Sequence, residues 1–454
     1  MQNYNEEDNK YYVKKIKGTV EGVVEVPGSK SITNRSLLMA ALGLGKAHIT
    51  GALFSDDSRA FLDCLKSLGF RMDVYEDRKE INIIGMGGII PLDEAEVNVG
   101  DAGTAARFIT AMLGLSSGKY AIKCGKQMQS RPMKELFDVL EGLGTEIKYL
   151  KKKGHLPVEI KGCSLLQDKN TKYDRKNRDE FPDVNIELDI SRSTQYLSAL
   201  LMIAPVMKGD VHIHITGEKK TGSYVKITLG MLKEFGINVS FDEENGIYSV
   251  IGRSKPIVGN YHVEPDISAA CYFYAIAAIT RGTVTVKNVH FTSNQGDLEF
   301  IEVLGVMGCE VKDLKEGIEV SGPLHLHGVD VDMNDFSDQV LTMAAMAPFV
   351  DSPIFIRNVG HIRGQESDRM AVVEEVMNAM GLRCETEDGD IFIYPVKDPE
   401  GVEVDTHNDH RVSMAFSIMG LKLDGVVIDN PLCCSKTFEN YYDVFEELIE
   451  SRYY

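Results

Sequence analysis

The segment Val26-Pro27-Gly28-Ser29-Lys30-Ser31-Ile32-Thr33-Asn34-Arg35 sets a lysine, hydroxyls and an arginine ahead of an apolar run holding Leu37, Leu38, Ala41 and Leu42. Free N–H groups and the dipole at the start of the helix this run predicts would draw an anion there. The Gly-x-x-x-x-Gly-Lys-Ser/Thr of a nucleotide-phosphate loop is absent, because Ser29 separates Gly28 from Lys30. Asp101-Ala-Gly103-Thr104-Ala-Ala-Arg107 opens a second apolar helix, with Asp101 or Thr104 as its natural cap and Gly103 permitting close backbone approach. Arg131 stands beside Pro132, which can begin a helix, and Ser193-Thr194-Gln195-Tyr196 places hydroxyl and amide donors at another helix start. Gly364-Gln365-Glu366-Ser367-Asp368-Arg369, His407-Asn408-Asp409-His410-Arg411 and Cys434-Ser435-Lys436-Thr437 each precede further helices. Each cluster alone reads equally well as a solvated or well-capped turn. Their recurrence at the starts of repeated helices predicts that several converge at one end of a domain, where they would bind anions.

Two other chemistries are weaker. His407 and His410 have His-x-x-His spacing, but no acidic or sulfur ligand stands nearby in the right pattern and Arg411 would repel a cation. Gly85-Met-Gly87-Gly88 follows a strand, yet position 90 is Ile and no helix opens there, so a dinucleotide fingerprint is rejected.

The elements that must carry these residues show a period. Leu65-x-x-Leu68-Gly69, Leu140-x-x-Leu143-Gly144, Leu232-x-x-Phe235-Gly236, Leu304-x-x-Met307-Gly308 and Met377-x-x-Met380-Gly381 each end an amphipathic helix with a glycine stop. Alternating segments follow, such as Arg71–Tyr75 with Ile81–Ile84, and Gly389–Tyr394. A sixth copy, with Tyr441, Phe445 and Leu448 on one face, closes the chain without its glycine. Six units of about seventy-odd residues exceed the usual solenoid period of roughly 20–50, and suggest two domains of three. One interval is longer, and the polar stretch between Leu165 and Asp183 accounts for it as an exposed loop insertion.

Composition narrows the partners. A chain of 454 residues with 43% hydrophobic content exceeds what one core usually organises. A net charge of -19 argues against nucleic acid, which demands an excess of Lys and Arg. Eight scattered cysteines without Cys-x-x-Cys spacing suggest reduced thiols of a cytoplasmic protein. The longest apolar run, Ser268–Thr280, suits a buried helix better than a membrane span. The polar first ten residues read as a loose leader.

Taken together, these segments resemble the 5-enolpyruvylshikimate-3-phosphate synthase family. From about Val13 to the C-terminus its markers stand in family order: Lys30-Ser31…Asn34-Arg35, Gly103-Thr104…Arg107, Arg131-Pro132, Gln195, Asp338, Glu366…Asp368-Arg369, Asn408-Asp409-His410-Arg411 and Lys436-Thr437-Phe438. The resemblance implies an α/β fold of two inverse α/β barrel-like domains, each of three βαβαββ repeats, with the active site in the cleft between them. One lobe would comprise residues 1–27 and 264–454, the other 28–263. The implied reaction moves the enolpyruvyl group of phosphoenolpyruvate to the 5-hydroxyl of shikimate 3-phosphate without metal or cofactor, in a monomer. By resemblance, Lys30, Gly103, Arg131 and Gln195 hold the phosphate of phosphoenolpyruvate, and Arg369, Arg411 and Lys436 its carboxylate end. Shikimate 3-phosphate would meet Lys30, Ser31, Arg35, Ser193, Thr194, Gln195, Thr221, Tyr224, Asp338, His361 and Gln365. Glu366 would exchange the methyl proton, Asp338 act as base towards the hydroxyl, and Lys30 stabilise charge or shuttle a proton. Gly103, without a side chain, implies that glyphosate competes with phosphoenolpyruvate.

Departures from the family pattern cluster on the shikimate side. Gln365 replaces a lysine, with Arg363 as the nearest compensating cation; Asp101 replaces an asparagine, and Thr221-Gly222 replaces Ser-Lys/Arg. His361 stands where one branch has asparagine. Two alternatives follow: a noncatalytic anion-binding relative, or transfer to UDP-N-acetylglucosamine, whose enzymes open with Gly-Ser-Lys-Asn where this chain has Ser31.

Overall fold

Gly69, Gly144, Gly236, Gly308 and Gly381 all take positive φ, from 81° to 108°, a region open to glycine at little cost. They end the helices Asp56–Ser67, Lys134–Gly142, Ser223–Glu234, Leu298–Val306 and Arg369–Ala379, as the repeat predicts. The computed structural model describes residues 1, 3–167 and 181–450. Most of the polar insertion therefore lies outside the described residues. Its beginning does not: Leu166 is buried and bridges antiparallel to Met207.

The unit built on the second stop shows the plan. Strand Glu94–Asn98, helix Gly103–Leu115, strand Lys119–Lys123, helix Lys134–Gly142 and strands Glu146–Tyr149 and Val158–Lys161 follow in order. The first two strands pair in parallel, as a helical crossover requires, while Val158–Lys161 lies antiparallel between Lys119–Lys123 and Glu146–Tyr149. Six such four-stranded sheets occur among the described residues.

The chain divides into two compact units, Gly28–Val263 and Met1–Pro27 with Glu264–Tyr454, each with its own apolar core. Within each, one helix of every repeat is amphipathic and the other is enclosed. The enclosed helices are Lys30–Leu42, Gly103–Leu115 and Gln195–Ile203 in the first, and Ile267–Thr280, Val340–Met346 and His410–Ser417 in the second. Most of the polar motifs sit at the starts of these enclosed helices, not of the glycine-ended ones as the repeat suggested. A helix apolar all round has no hydrophobic period, so the period marks only its amphipathic partner.

The N-terminus is not a loose leader. Tyr4–Asn5 and Lys10–Tyr12 form an antiparallel pair, and Lys10–Tyr12 adds to Val427–Asp429. This hairpin supplies the remaining two strands of the four-stranded sheet that holds Glu403–Val404 and Val427–Asp429. Tyr11 anchors it, fully buried with its ring 4.2 Å from that of Tyr442. Among the described residues no helix is long and apolar enough to cross a membrane.

Candidate active site

In the Gly28–Val263 unit, Arg35 draws together its own helix Lys30–Leu42 with Gln195–Ile203 and Ser223–Glu234. One turn into its helix, its guanidinium donates from Nε to Thr228 Oγ1 (2.8 Å), from Nη1 to Ser31 O (3.0 Å), and from Nη2 to Ser198 Oγ (3.3 Å) and Tyr224 O (3.1 Å). The rings of Phe108 and Tyr224 flank it at 5.5 and 5.7 Å. Burial, with no carboxylate among these partners, pulls the guanidinium down to about 10. Asn34 Nδ2 donates to Thr104 Oγ1 at 2.6 Å, tying the first helix to the second. Lys30, at the first residue of its helix, lies 3.4 Å from Asp57.

Gly103 has no room for a side chain without moving two cations. A Cβ there would stand 2.7 Å from Arg107 Nη1 and 2.8 Å from Arg131 Nη1. Arg107 itself is committed to the fold, donating to Gly103 O at 3.1 Å and Pro132 O at 3.4 Å. Arg131 does not begin a helix; it caps the end of the short helix Lys126–Ser130, and the next helix starts only at Lys134. Nor does Asp101 or Thr104 cap Gly103–Leu115, whose N-cap is Ala102. Asp101 Oδ1 instead accepts from Met128 N at 2.8 Å, because that N–H in the short helix faces it. Gln195 opens its helix with its N–H donating to Ser193 Oγ at 3.3 Å, while its buried Oε1 has no hydrogen-bond partner among the described residues. Such an acceptor is costly unless something donates to it. Gly222 itself lies beside Thr194: a Cβ on it would stand 3.2 Å from Thr194 Cγ2 and 3.4 Å from Lys219 Cε.

The second unit carries a denser network. Arg369, fully buried, grips Asp409 with two bonds, Nε to Oδ2 at 2.8 Å and Nη2 to Oδ1 at 3.2 Å. Its Nη1 donates to Asp338 Oδ1 (3.1 Å) and to Gln365 Oε1, and Nη2 also to Glu366 Oε2 (3.2 Å). Burial alone would lower this guanidinium, but Asp409, Glu366 and Asp338 outweigh it and hold it above its ordinary value. Arg411 Nη2 donates to Asp338 Oδ2 at 2.9 Å, and Lys436 Nζ lies 3.4 Å from Glu366 Oε1. Two carboxylates thus stand among three cations, each carboxylate bridging two of them.

Asp409 received no role from the sequence, although it lies within a quoted motif. It caps His410–Ser417 through Arg411 N at 3.0 Å and accepts from Ser367 Oγ at 3.0 Å. Ser198, Thr228 and Ser268 were missed likewise; nothing local distinguishes them from other hydroxyls in helices. Gln365 keeps its amide on Arg369, while Arg363, the nearest candidate to compensate for it, pairs with Asp368 at 3.2 Å. His361 Nε2 lies 2.8 Å from Ser337 Oγ, beside Asp338 in sequence. Lys436 ends the turn Pro431–Lys436 well before Tyr441–Ile449 instead of starting that helix. His407 is part-exposed near Glu375 while His410 is buried, so the two rings share no site. Among the described residues no group of three or more His, Cys, Asp and Glu is placed to hold a metal ion.

The sequence profile of EPSP synthase (3-phosphoshikimate 1-carboxyvinyltransferase) matches residues 14–445. A 3-phosphoshikimate 1-carboxyvinyltransferase of Trichormus variabilis is 40% identical over 431 residues, covering 95% of this chain and 97% of the relative. One of Shewanella amazonensis is 37% identical over 430 residues, covering 94% and 96%. The fold is similar to that of a solved EPSP synthase from Acinetobacter baumannii, with a TM-score of 0.78, 23% identity and 98% of both chains covered. With the profile spanning nearly its whole length and these relatives matching end to end, the chain belongs to the EPSP synthase family.

Proposed function

We propose that this protein transfers the enolpyruvyl group of phosphoenolpyruvate to the 5-hydroxyl of shikimate 3-phosphate, releasing phosphate. The observation that carries this reading is the pairing of two carboxylates, Asp338 and Glu366, with Arg369, Arg411 and Lys436 around them. The reaction needs a proton delivered to C3 of the enol and one taken from the attacking hydroxyl, and two separately held carboxylates suit that division.

In this reading Glu366 protonates C3 while the 5-oxygen attacks C2 and its proton passes to Asp338. The tetrahedral adduct then returns a methyl proton to Glu366 as the C–O bond to phosphate breaks and the double bond reforms. Arg369, Arg411 and Lys436 take the carboxylate of phosphoenolpyruvate, drawing cations away from Glu366 and favouring its uptake of the proton it must deliver. Lys30, Arg131 and the Gly103 backbone hold the phosphate, and the partnerless Gln195 Oε1 suits a hydroxyl donor. Lys30, Ser31, Arg35, Ser193, Thr194, Thr221, Tyr224, His361 and Gln365 hold shikimate 3-phosphate, with the buried Arg35 cation fixing its helix start. The intact carboxylates and cations favour a working enzyme over a noncatalytic relative.

Phosphate release from phosphoenolpyruvate, with shikimate 3-phosphate or UDP-N-acetylglucosamine as acceptor and EDTA present, tests the reaction. Release with shikimate 3-phosphate alone, abolished in Lys30→Met and lowered at least about 10²-fold in Asp338→Asn and Glu366→Gln, is the expected outcome. Release with the nucleotide sugar alone, or tight binding without turnover, would replace this reading by one of its rivals.

A further inference from the structure

Asp297 begins the amphipathic helix Leu298–Val306, where an aspartate ordinarily caps the free N–H groups of its own helix. Its side chain makes no such cap. Instead, almost fully buried, its Oδ2 accepts from Ser268 Oγ and from Gln339 Nε2 at 3.0 Å. Gln339 follows Asp338 in the chain, is fully buried, and has its Oε1 held by Thr342 Oγ1 at 3.0 Å. Ser268 in turn lies 3.4 Å from Arg411 Nη2, the same nitrogen that donates to Asp338 Oδ2 at 2.9 Å. The contacts close a ring from Asp297 through Ser268 and Arg411 to Asp338, and back through Gln339.

We propose that Asp297 is a positioning residue for the transfer reaction, fixing through Ser268 and Gln339 the angle at which Arg411 meets Asp338. The proposal rests on the assignment of Asp338 as the base. Three elements converge on Asp297 with titratable groups: Asp338 from the turn Ser337–Gln339, Arg411 from His410–Ser417, and Cys271 from Ile267–Thr280, whose Sγ donates to Asp297 O at 3.7 Å. Burial and then the Asp338 charge push the Asp297 carboxyl up to about 7, against the opposing pull of Arg411, Ser268 and Gln339. A folded value above the unfolded one means stability present at low pH and lost as pH rises through about 7. The ring therefore has a readout that requires no turnover.

Asp297→Asn keeps the shape and removes the charge. Its kcat is expected to fall on the order of 10²-fold, the scale of a small misplacement of a reacting group, with each KM changed only a few-fold. The acid-to-neutral loss of melting temperature expected of the unsubstituted protein should shrink in Asp297→Asn and, in part, in Asp338→Asn. Because Asp297 acts through Asp338, Asp297→Asn should cost little further kcat in an Asp338→Asn background. An equal loss in both backgrounds, or an unchanged kcat, overturns the proposal. Absence of turnover in the unsubstituted protein with shikimate 3-phosphate fails the reaction assignment instead. The melting series then decides the ring by itself: a pH dependence lost in Asp297→Asn and lessened in Asp338→Asn supports it, and one unaffected by either overturns it.

Discussion

Arg35 and Lys219 show two ways of presenting positive charge. Arg35 is surrounded by neutral oxygens and aromatic faces, so its charge is left to attract an anion, and the four acceptors fix the direction of the fork. Lys219 lies where a side chain on Gly222 would point: its Nζ is 3.9 Å from the Cβ position that glycine leaves empty. A cation from three residues earlier thus lies near the place a side chain at position 222 would take. Lys219→Met should raise KM for shikimate 3-phosphate about ten- to a hundredfold, the worth of a charge-assisted hydrogen bond, with KM for phosphoenolpyruvate nearly unchanged. Steady-state kinetics varying each substrate separately checks this, and an unaltered acceptor KM would mean Lys219 does not stand in for position 222.

Among the elements, the start of His410–Ser417 bears the most weight, since Asp409 caps it while also neutralising Arg369. Asp409→Asn leaves that guanidinium buried beside one lost charge, a class of change that costs about 3–5 kcal/mol. Urea unfolding should show the loss as a lower midpoint at unchanged slope. Such relations were half legible beforehand. The motifs and the glycine stops could be read because a phosphate-binding helix start and a left-handed turn each demand particular residue types. Arg131 and Asp101 were misplaced because the short helix Lys126–Ser130 has too few residues to carry a period, and one proline looks like any helix start. Asp297 was invisible, since its partners Ser268 and Gln339 are far from it in sequence and joined only by the packing of enclosed helices.

On the scale of the whole molecule, the chain leaves one unit after Pro27 and returns at Glu264, while its first strands complete a sheet with nearly its last ones. Tyr11→Ala, emptying the fully buried space against Tyr442 and Phe445, should destabilise this discontinuous unit by about 3–5 kcal/mol, measurable by chemical denaturation. The same threading sets an order of events during synthesis. Gly28–Val263 is complete, with every one of its sheets, when the ribosome has made little more than half of the 454 residues, and domains generally fold as units while the chain emerges. Lys10–Tyr12 is made before any of that unit yet must wait for Val427–Asp429, more than 400 residues later. Until then an unpaired strand edge and the aromatic ring of Tyr11 stay exposed, so this stretch of the nascent chain stays open to misassociation until Val427–Asp429 has been made.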